Sequence, residues 1–275
     1  MSIKAIIFDM DGVIYRGKTI IKGARESIHD LRLKGIKTFF LTNAGTRSRK
    51  RRAEKLHELG IDAKESEVYT ASYAVAKHIR DSFGDAKVLY VGEEGIGQEL
   101  ENFGLTVVGR DSETDISGNP LQKSKRDEKP DFVVVGLDRF VTYDKLARAF
   151  RAIHAGAKFI ATNKDPTFPV EDGFYPGAGA LVEFLEYSSG VKPFMVGKPN
   201  TYMLDLILED SGLKKNEVII VGDRVDSDIL VGKRAKIKTC LVLSGVTKKA
   251  DLKKLKKNEK PDYVIDSIAK IELVL

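Results

Sequence analysis

The sequence predicts an α/β protein built on a largely parallel sheet. Two observations carry that prediction. Short, wholly apolar runs of bulky residues recur along the chain, which is how strands buried on both faces read. Between them lie segments whose apolar residues repeat at helical spacing, and strands alternating with helices imply βαβ units. At 275 residues, the chain suits two domains slightly better than one.

The first apolar run is Lys4-Ala5-Ile6-Ile7-Phe8, ending at Asp9. Further runs fall at 38–41, 87–91, 132–135, 158–161, 218–221 and 239–243, with a shorter stretch at 194–196. Segment 49–59 puts Ala53, Leu56 and Leu59 on one helical face, and Gly60 supplies a C-terminal stop. Segment 142–155 groups Leu146, Ala149, Phe150 and Ile153 in the same way, and 202–209 reads as a helix ending before Gly212. Residues 109–130 are polar and read as a surface excursion. Pro166, Pro169 and Gly173 argue against a regular element between Asn163 and Tyr175.

Composition narrows the function classes. Hydrophobic residues make up 42% of the chain, enough for a real core and too many for a disordered protein. No apolar run approaches the ~18 residues of a membrane helix. The opening residues lack a basic leader and a cleavage site, so a cytoplasmic protein is expected. The single cysteine, Cys240, excludes a disulfide framework and any CxxC site, and it reads as a small core residue. The net charge of +6 invites a nucleic-acid partner. That excess comes from two runs, 47–52 and 247–260, each +5, so the remainder is net acidic. Both runs adjoin apparent helices and read as solvated faces, which argues against nucleic acid.

In open parallel sheets, ligands gather beyond the carboxyl ends of the strands. The chain places Asp9-Met10-Asp11-Gly12, Thr42-Asn43, Gly197-Lys198-Pro199 and Gly222-Asp223-Arg224-Val225-Asp226-Ser227-Asp228 after four of its apolar runs. Each piece alone has a plain alternative: a cap, a turn or a surface lysine. A calcium loop starting at Asp9 would need glutamate at its twelfth position, where Ile20 stands. Four such features at strand ends point instead to phosphoryl chemistry. Asp9 is a candidate nucleophile forming an aspartyl phosphate. Asp11 is a candidate acid and base. Carboxylates ~4 Å apart repel by about 4 kcal/mol at an effective dielectric of 20. A divalent cation removes that repulsion, and oxygen-only ligands favour Mg²⁺. Thr42 offers a hydroxyl, the amides after it offer N–H donors, and Lys198 adds positive charge.

DMDGV, LTN, GKP and GDRVDSD, in this order, resemble the four motifs of the haloacid dehalogenase (HAD) superfamily. FDMDGVIYRG, VVVGLDRFVTYDKL, ATNKDP and PGAGALV narrow the resemblance to its NagD-like, p-nitrophenyl-phosphatase branch, which includes pyridoxal-phosphate and phosphoglycolate phosphatases. The resemblance covers essentially the whole chain. It implies a Rossmann-like core, about 1–73 and 182–275, with an inserted α/β cap domain near 74–181. It implies Asp9 as nucleophile and metal ligand. Asp11 would be acid/base and lend its backbone carbonyl to Mg²⁺. Asp223 would be a ligand with Asp228 in the outer coordination sphere, and Thr42, Asn43, Ala44 and Lys198 would hold the phosphate. By analogy alone it points to a homodimer through the cap. Two positions depart from the pattern. Ala44-Gly45 stand where Asn or Ser is common, leaving only backbone donors. Lys164 stands where the branch often has proline.

The expected activity is therefore Mg²⁺-dependent hydrolysis of a small phosphorylated metabolite through an aspartyl phosphate. The alternatives are a phosphotransferase or phosphomutase on the same scaffold, and a non-catalytic phosphate-ligand or nucleic-acid binding protein. Leaving-group choice is assigned to the 163–175 segment, with Phe168 as candidate specificity residue. Two glycine-rich stretches read as structural: 92–97 as a turn, and Pro176-Gly177-Ala178-Gly179 as the return from cap to core.

Overall fold

The computed structural model describes residues 2–109, 129–170 and 173–275. The polar stretch at 109–130 lies outside the described residues apart from its ends. The chain divides into two compact units: Met1–Thr42 with Lys50–Tyr69 and Gly197–Leu275, and Asn43–Arg49 with Thr70–Val196.

The first unit is built on a six-stranded sheet. In chain order its elements are β1 (Ala5–Asp9), a small ribbon of β2 (Tyr15–Arg16) and β3 (Thr19–Ile20), α1 (Ala24–Leu33), β4 (Lys37–Thr42), α2 (Arg49–Glu58) and β5 (Val68–Thr70). After the second unit come α7 (Tyr202–Ser211), β13 (Val218–Gly222), α8 (Leu230–Ala235), β14 (Lys238–Val242) and β15 (Tyr263–Ile265). The strand order is β15-β14-β13-β1-β4-β5. β1 pairs in parallel with both β13 and β4, and every one of its residues is buried. A strand covered on both faces needs apolar residues throughout, and the Ala-Ile-Ile-Phe run supplies them. Phe8 stacks on Phe40 of the neighbouring strand, and Ile6, Met10, Ile219 and Val242 extend the same core.

The second unit carries its own five-stranded parallel sheet, in the order β12 (Phe194–Met195), β9 (Lys158–Ala161), β8 (Phe132–Val135), β6 (Lys87–Val91), β7 (Thr106–Val107). Its elements are α3 (Ala71–Phe83), β6 (Lys87–Val91), α4 (Glu94–Asn102), β7 (Thr106–Val107), β8 (Phe132–Val135), α5 (Tyr143–His154), β9 (Lys158–Ala161), the hairpin β10 (Thr167–Val170) and β11 (Gly173–Pro176), α6 (Ala178–Ser189) and β12 (Phe194–Met195). This unit runs past the expected boundary at 182. Val182 and Leu185 of α6 pack in its core, and Phe194 and Met195 pair with Ile160 and Ala161. No helix among the described residues is long and apolar enough to cross a membrane.

Four local expectations are corrected. Segment 163–175 holds the antiparallel hairpin, with Phe168 opposite Tyr175 and Pro169 opposite Phe174. A two-stranded ribbon has two open edges, so proline's missing N–H breaks no ladder there. The 92–97 stretch leads into α4 from Glu94 onward, and a side chain on Gly95 would overlap the Arg47 backbone. Gly177 is the N-cap of α6, so PGAG opens a helix. The 247–260 lysines are exposed around two short 3-10 turns (Asp251–Lys254 and Lys257–Glu259) and not on an α-helix face, while Arg52 of the other basic run is buried.

Candidate active site

The register of the central strands brings the motif residues of the first unit to one edge. Asp9 pairs with Leu41, so Thr42 follows at the tip of β4, and Phe8 pairs with Val221, so Gly222-Asp223 follow at the tip of β13. Parallel strands share one carboxyl edge, so residues far apart in sequence meet there.

Lys198 is the centre of the cluster. Its ammonium lies 2.5 Å from Asp9 Oδ1 and 2.6 Å from Asp228 Oδ1. The side chains of Lys198 and Asp228 are only 2% and 1% exposed, so this ion triad is screened from water. Burial opposes the lysine's charge, but Asp228 and Asp9 outweigh it and push its pKa up. Asp9 is raised well above the ordinary carboxylate value, first by burial, against the pull of Lys198, with Asp228 and Asp223 adding repulsion. Burial and Asp228 raise Asp223 to about 7.

The backbone after β13 sets this geometry. A π-type turn over Val225–Ile229 carries Asp228 back towards the strand. Its Oδ2 accepts from the amides of Asp223 and Arg224 at 3.1 and 3.0 Å. Gly222 is required because a Cβ there would overlap the Asp228 side chain. Asp223 accepts from the Val246 amide at 2.6 Å. Its carboxylate occupies space left by Gly12, at φ +83°, and Gly245, where side chains would collide with it.

Asp9, Asp223 and Asp228 each offer a carboxylate oxygen, all within 4.8 Å of one another. Three buried oxygen donors, two of them with raised pKa, fit a hard divalent cation. Asp11 lies beyond the strand end, partly buried and bridged to Tyr15. Thr42 is buried at the tip of β4. Asn43 and Ala44, next in the chain, are counted with the second unit, where Asn43 is bonded to Asp165 and Asn163. Phe168 packs edge-on against Tyr175, with ring centroids 5.9 Å apart.

Sequence reading missed a second buried cation. Arg52, 6% exposed, donates to the Tyr15 hydroxyl at 3.3 Å. Burial works against its charge, but Tyr15, Asp11 and Asp9 hold it ionised. Burial and then Asp11 raise the Tyr15 phenol. The signal was present: Arg52 stands four residues before Leu56, on the apolar face of α2. Asn163 and Asp165 fall within the family stretch ATNKDP and the 163–175 segment, but sequence reading gives neither an individual role.

Fold and site together define a parallel-sheet α/β enzyme with an acid–lysine cluster at the carboxyl edge of the sheet. The chain belongs to the haloacid dehalogenase-like hydrolases, whose family model matches residues 6–106, with a second HAD-hydrolase-like model over 195–271. It is 38% identical over 265 residues to the 5'-nucleotidase YutF of Bacillus subtilis, covering 96% of each chain. It is 38% identical over 273 residues to an acid sugar phosphatase of Staphylococcus aureus, covering 98% of each. Its structure is similar to a p-nitrophenyl phosphatase from Archaeoglobus fulgidus, with a TM-score of 0.88, 34% identity and complete coverage of both chains.

Proposed function

We infer that this hydrolase is a Mg²⁺-dependent phosphatase of small phosphate monoesters. The observation that carries the reading is the Asp9–Lys198–Asp228 triad with Asp223 beside it: a nucleophile candidate held among counter-charges in a buried oxygen-donor cluster. The names of the relatives, a nucleotidase, a sugar phosphatase and a p-nitrophenyl phosphatase, all describe phosphate-ester hydrolysis.

Asp9 attacks phosphorus, forming an Oδ–P bond as the ester P–O bond breaks. Asp11 gives its proton to the departing oxygen. Asp11 then takes a proton from water, which attacks the aspartyl phosphate and restores the Asp9 carboxylate as phosphate leaves. Lys198, the Thr42 hydroxyl and the amides of Asn43 and Ala44 hold the phosphoryl oxygens. Asp9, Asp223 and the Asp11 carbonyl would hold the metal, with Asp228 outside them. The carboxylates would hold Mg²⁺, which would offset their repulsion and supply a counter-charge to the phosphoryl group. The second unit acts as the cap that selects the leaving group, with Phe168 as a contact. Small cytoplasmic metabolites are the proposed substrates, and a homodimer through the cap the proposed assembly.

The test is a panel of phosphate esters incubated with Mg²⁺: nucleotides, sugar phosphates, phosphoglycolate, pyridoxal phosphate and p-nitrophenyl phosphate. Release of inorganic phosphate is expected. Transfer to an added sugar hydroxyl without release would favour the phosphotransferase alternative. No turnover of any ester would sink the reading.

A further inference from the structure

Asn43 is clamped by the turn that follows β9. Its side-chain amide donates to both Asp165 oxygens, at 3.2 and 3.3 Å, and its backbone carbonyl accepts from the Asn163 side chain at 2.8 Å. The clamp is itself fixed, because Asn163 Oδ1 accepts from the Asp165 amide at 3.1 Å. Asn43 and Asn163 are both buried. Asn43 thus has both its side chain and its peptide carbonyl committed to one neighbour.

That neighbour is anchored in turn to the start of α6. The Gly179 amide donates to the Asp165 carbonyl at 3.0 Å, and the Gly177 amide to the Pro166 carbonyl at 2.8 Å. A Cβ at Gly179 would stand 2.6 Å from the Lys164 carbonyl, and one at Gly177 would overlap that of Asp165. Both glycines therefore let the helix close onto the turn. Lys164 adds ion pairs to Glu183, at 2.6 Å, and to Glu186. The ATNKDP and PGAG stretches together form one hydrogen-bonded bracket around Asn43.

We propose that Asp165 and Asn163 are positioning residues for phosphate binding, acting through Asn43. The proposal rests on the reading of Thr42, Asn43 and Ala44 as the phosphate grip. Ala44 brings no side-chain donor, so the grip depends on where the backbone N–H groups of this turn point. Fixing the Asn43 carbonyl and side chain fixes the adjoining peptide planes. A turn left free to sample other conformations binds phosphate only in the competent fraction, and its apparent affinity falls by that fraction.

The experiment measures hydrolysis of p-nitrophenyl phosphate with Mg²⁺, and its inhibition by inorganic phosphate. In Asp165→Ala, KM and the inhibition constant of phosphate should both rise about tenfold, with a smaller fall in kcat. Asp165→Asn keeps an acceptor for the Asn43 amide and should restore both to within about twofold. The double variant Asn43→Ala/Asp165→Ala should bind phosphate no worse than Asn43→Ala alone, because the two act as one unit. Should Asp165→Ala fail to fold, Asn163→Asp carries the test. It keeps the shape, loses the donor to the Asn43 carbonyl, and should show the same rise. Unchanged phosphate inhibition in the folded variant, or effects that multiply in the double variant, would overturn the proposal alone. A wild-type protein that neither hydrolyses the ester nor binds phosphate would overturn the underlying reading and the proposal with it.

Discussion

Lys198 and Asp9 stand 189 positions apart in the chain and meet at 2.5 Å in the interior of the first unit. The same ammonium reaches Asp228 at 2.6 Å, so one cation serves two buried anions. Removing it should be costly. Lys198→Met should destabilise the protein by about 3–5 kcal/mol, the usual loss when one partner of a buried ion pair is deleted. Urea unfolding checks this, and the loss should be greater at pH 8 than at pH 5.5, where the stranded carboxyls can take up protons. An unfolding midpoint equal to that of the wild type would contradict the triad's structural weight.

Asp9→Asn should abolish turnover, because the carboxamide is not a competent nucleophile. Asp11→Asn should slow both phosphoryl transfer and hydrolysis of the intermediate, by about a hundred- to ten-thousandfold. It should leave metal binding largely intact, since the proposed ligand there is a carbonyl. Chemical trapping of the phosphoenzyme with identification of the labelled residue separates these roles. Label on any residue but Asp9 would refute the assignment.

Chelator should stop the reaction and Mg²⁺ should restore it, with Zn²⁺ a poor substitute for want of nitrogen or sulfur ligands. Asp223→Ala should raise the Mg²⁺ requirement sharply. The carboxylate cluster also predicts a pH dependence. Asp223 is raised to about 7 by burial and by Asp228, so below that pH it carries a proton that the metal must displace. The Mg²⁺ concentration for half-maximal activity should therefore climb as pH falls below 7 and level off above it. A requirement flat from pH 5.5 to 8.5 would exclude this competition.

Phe168→Ala should reorder the substrates. The rate on p-nitrophenyl phosphate, or a similarly small ester, should fall less than about tenfold while esters with large planar leaving groups lose more. Phe168 packs edge-on against Tyr175 across the hairpin, so a purely structural role makes a different prediction. In that case all substrates lose rate together and the melting temperature drops. No change in either would remove Phe168 from the site.

The sequence by itself determined the fold class and the reactive groups of the first unit. Its apolar runs mark parallel strands buried on both faces, and Asp9, Asp11, Thr42 and Asp223 lie immediately beyond such runs. Position in a strand is a local property, legible in a few adjacent residues. Tertiary structure alone decided which groups meet. Asp228 reaches Lys198 only because a π-type turn folds it back over Gly222, and Asp223 fits only because Gly12 and Gly245 leave room. The same holds for the buried Arg52 and for the hairpin at 167–176, where pairing across the ribbon overrode the local signal of Pro166, Pro169 and Gly173. The grip of Asp165 and Asn163 on Asn43 spans more than a hundred positions. Local sequence sets what each residue can do. Packing between distant segments sets charge, burial and partner, because these energies depend on neighbours that only the folded chain supplies.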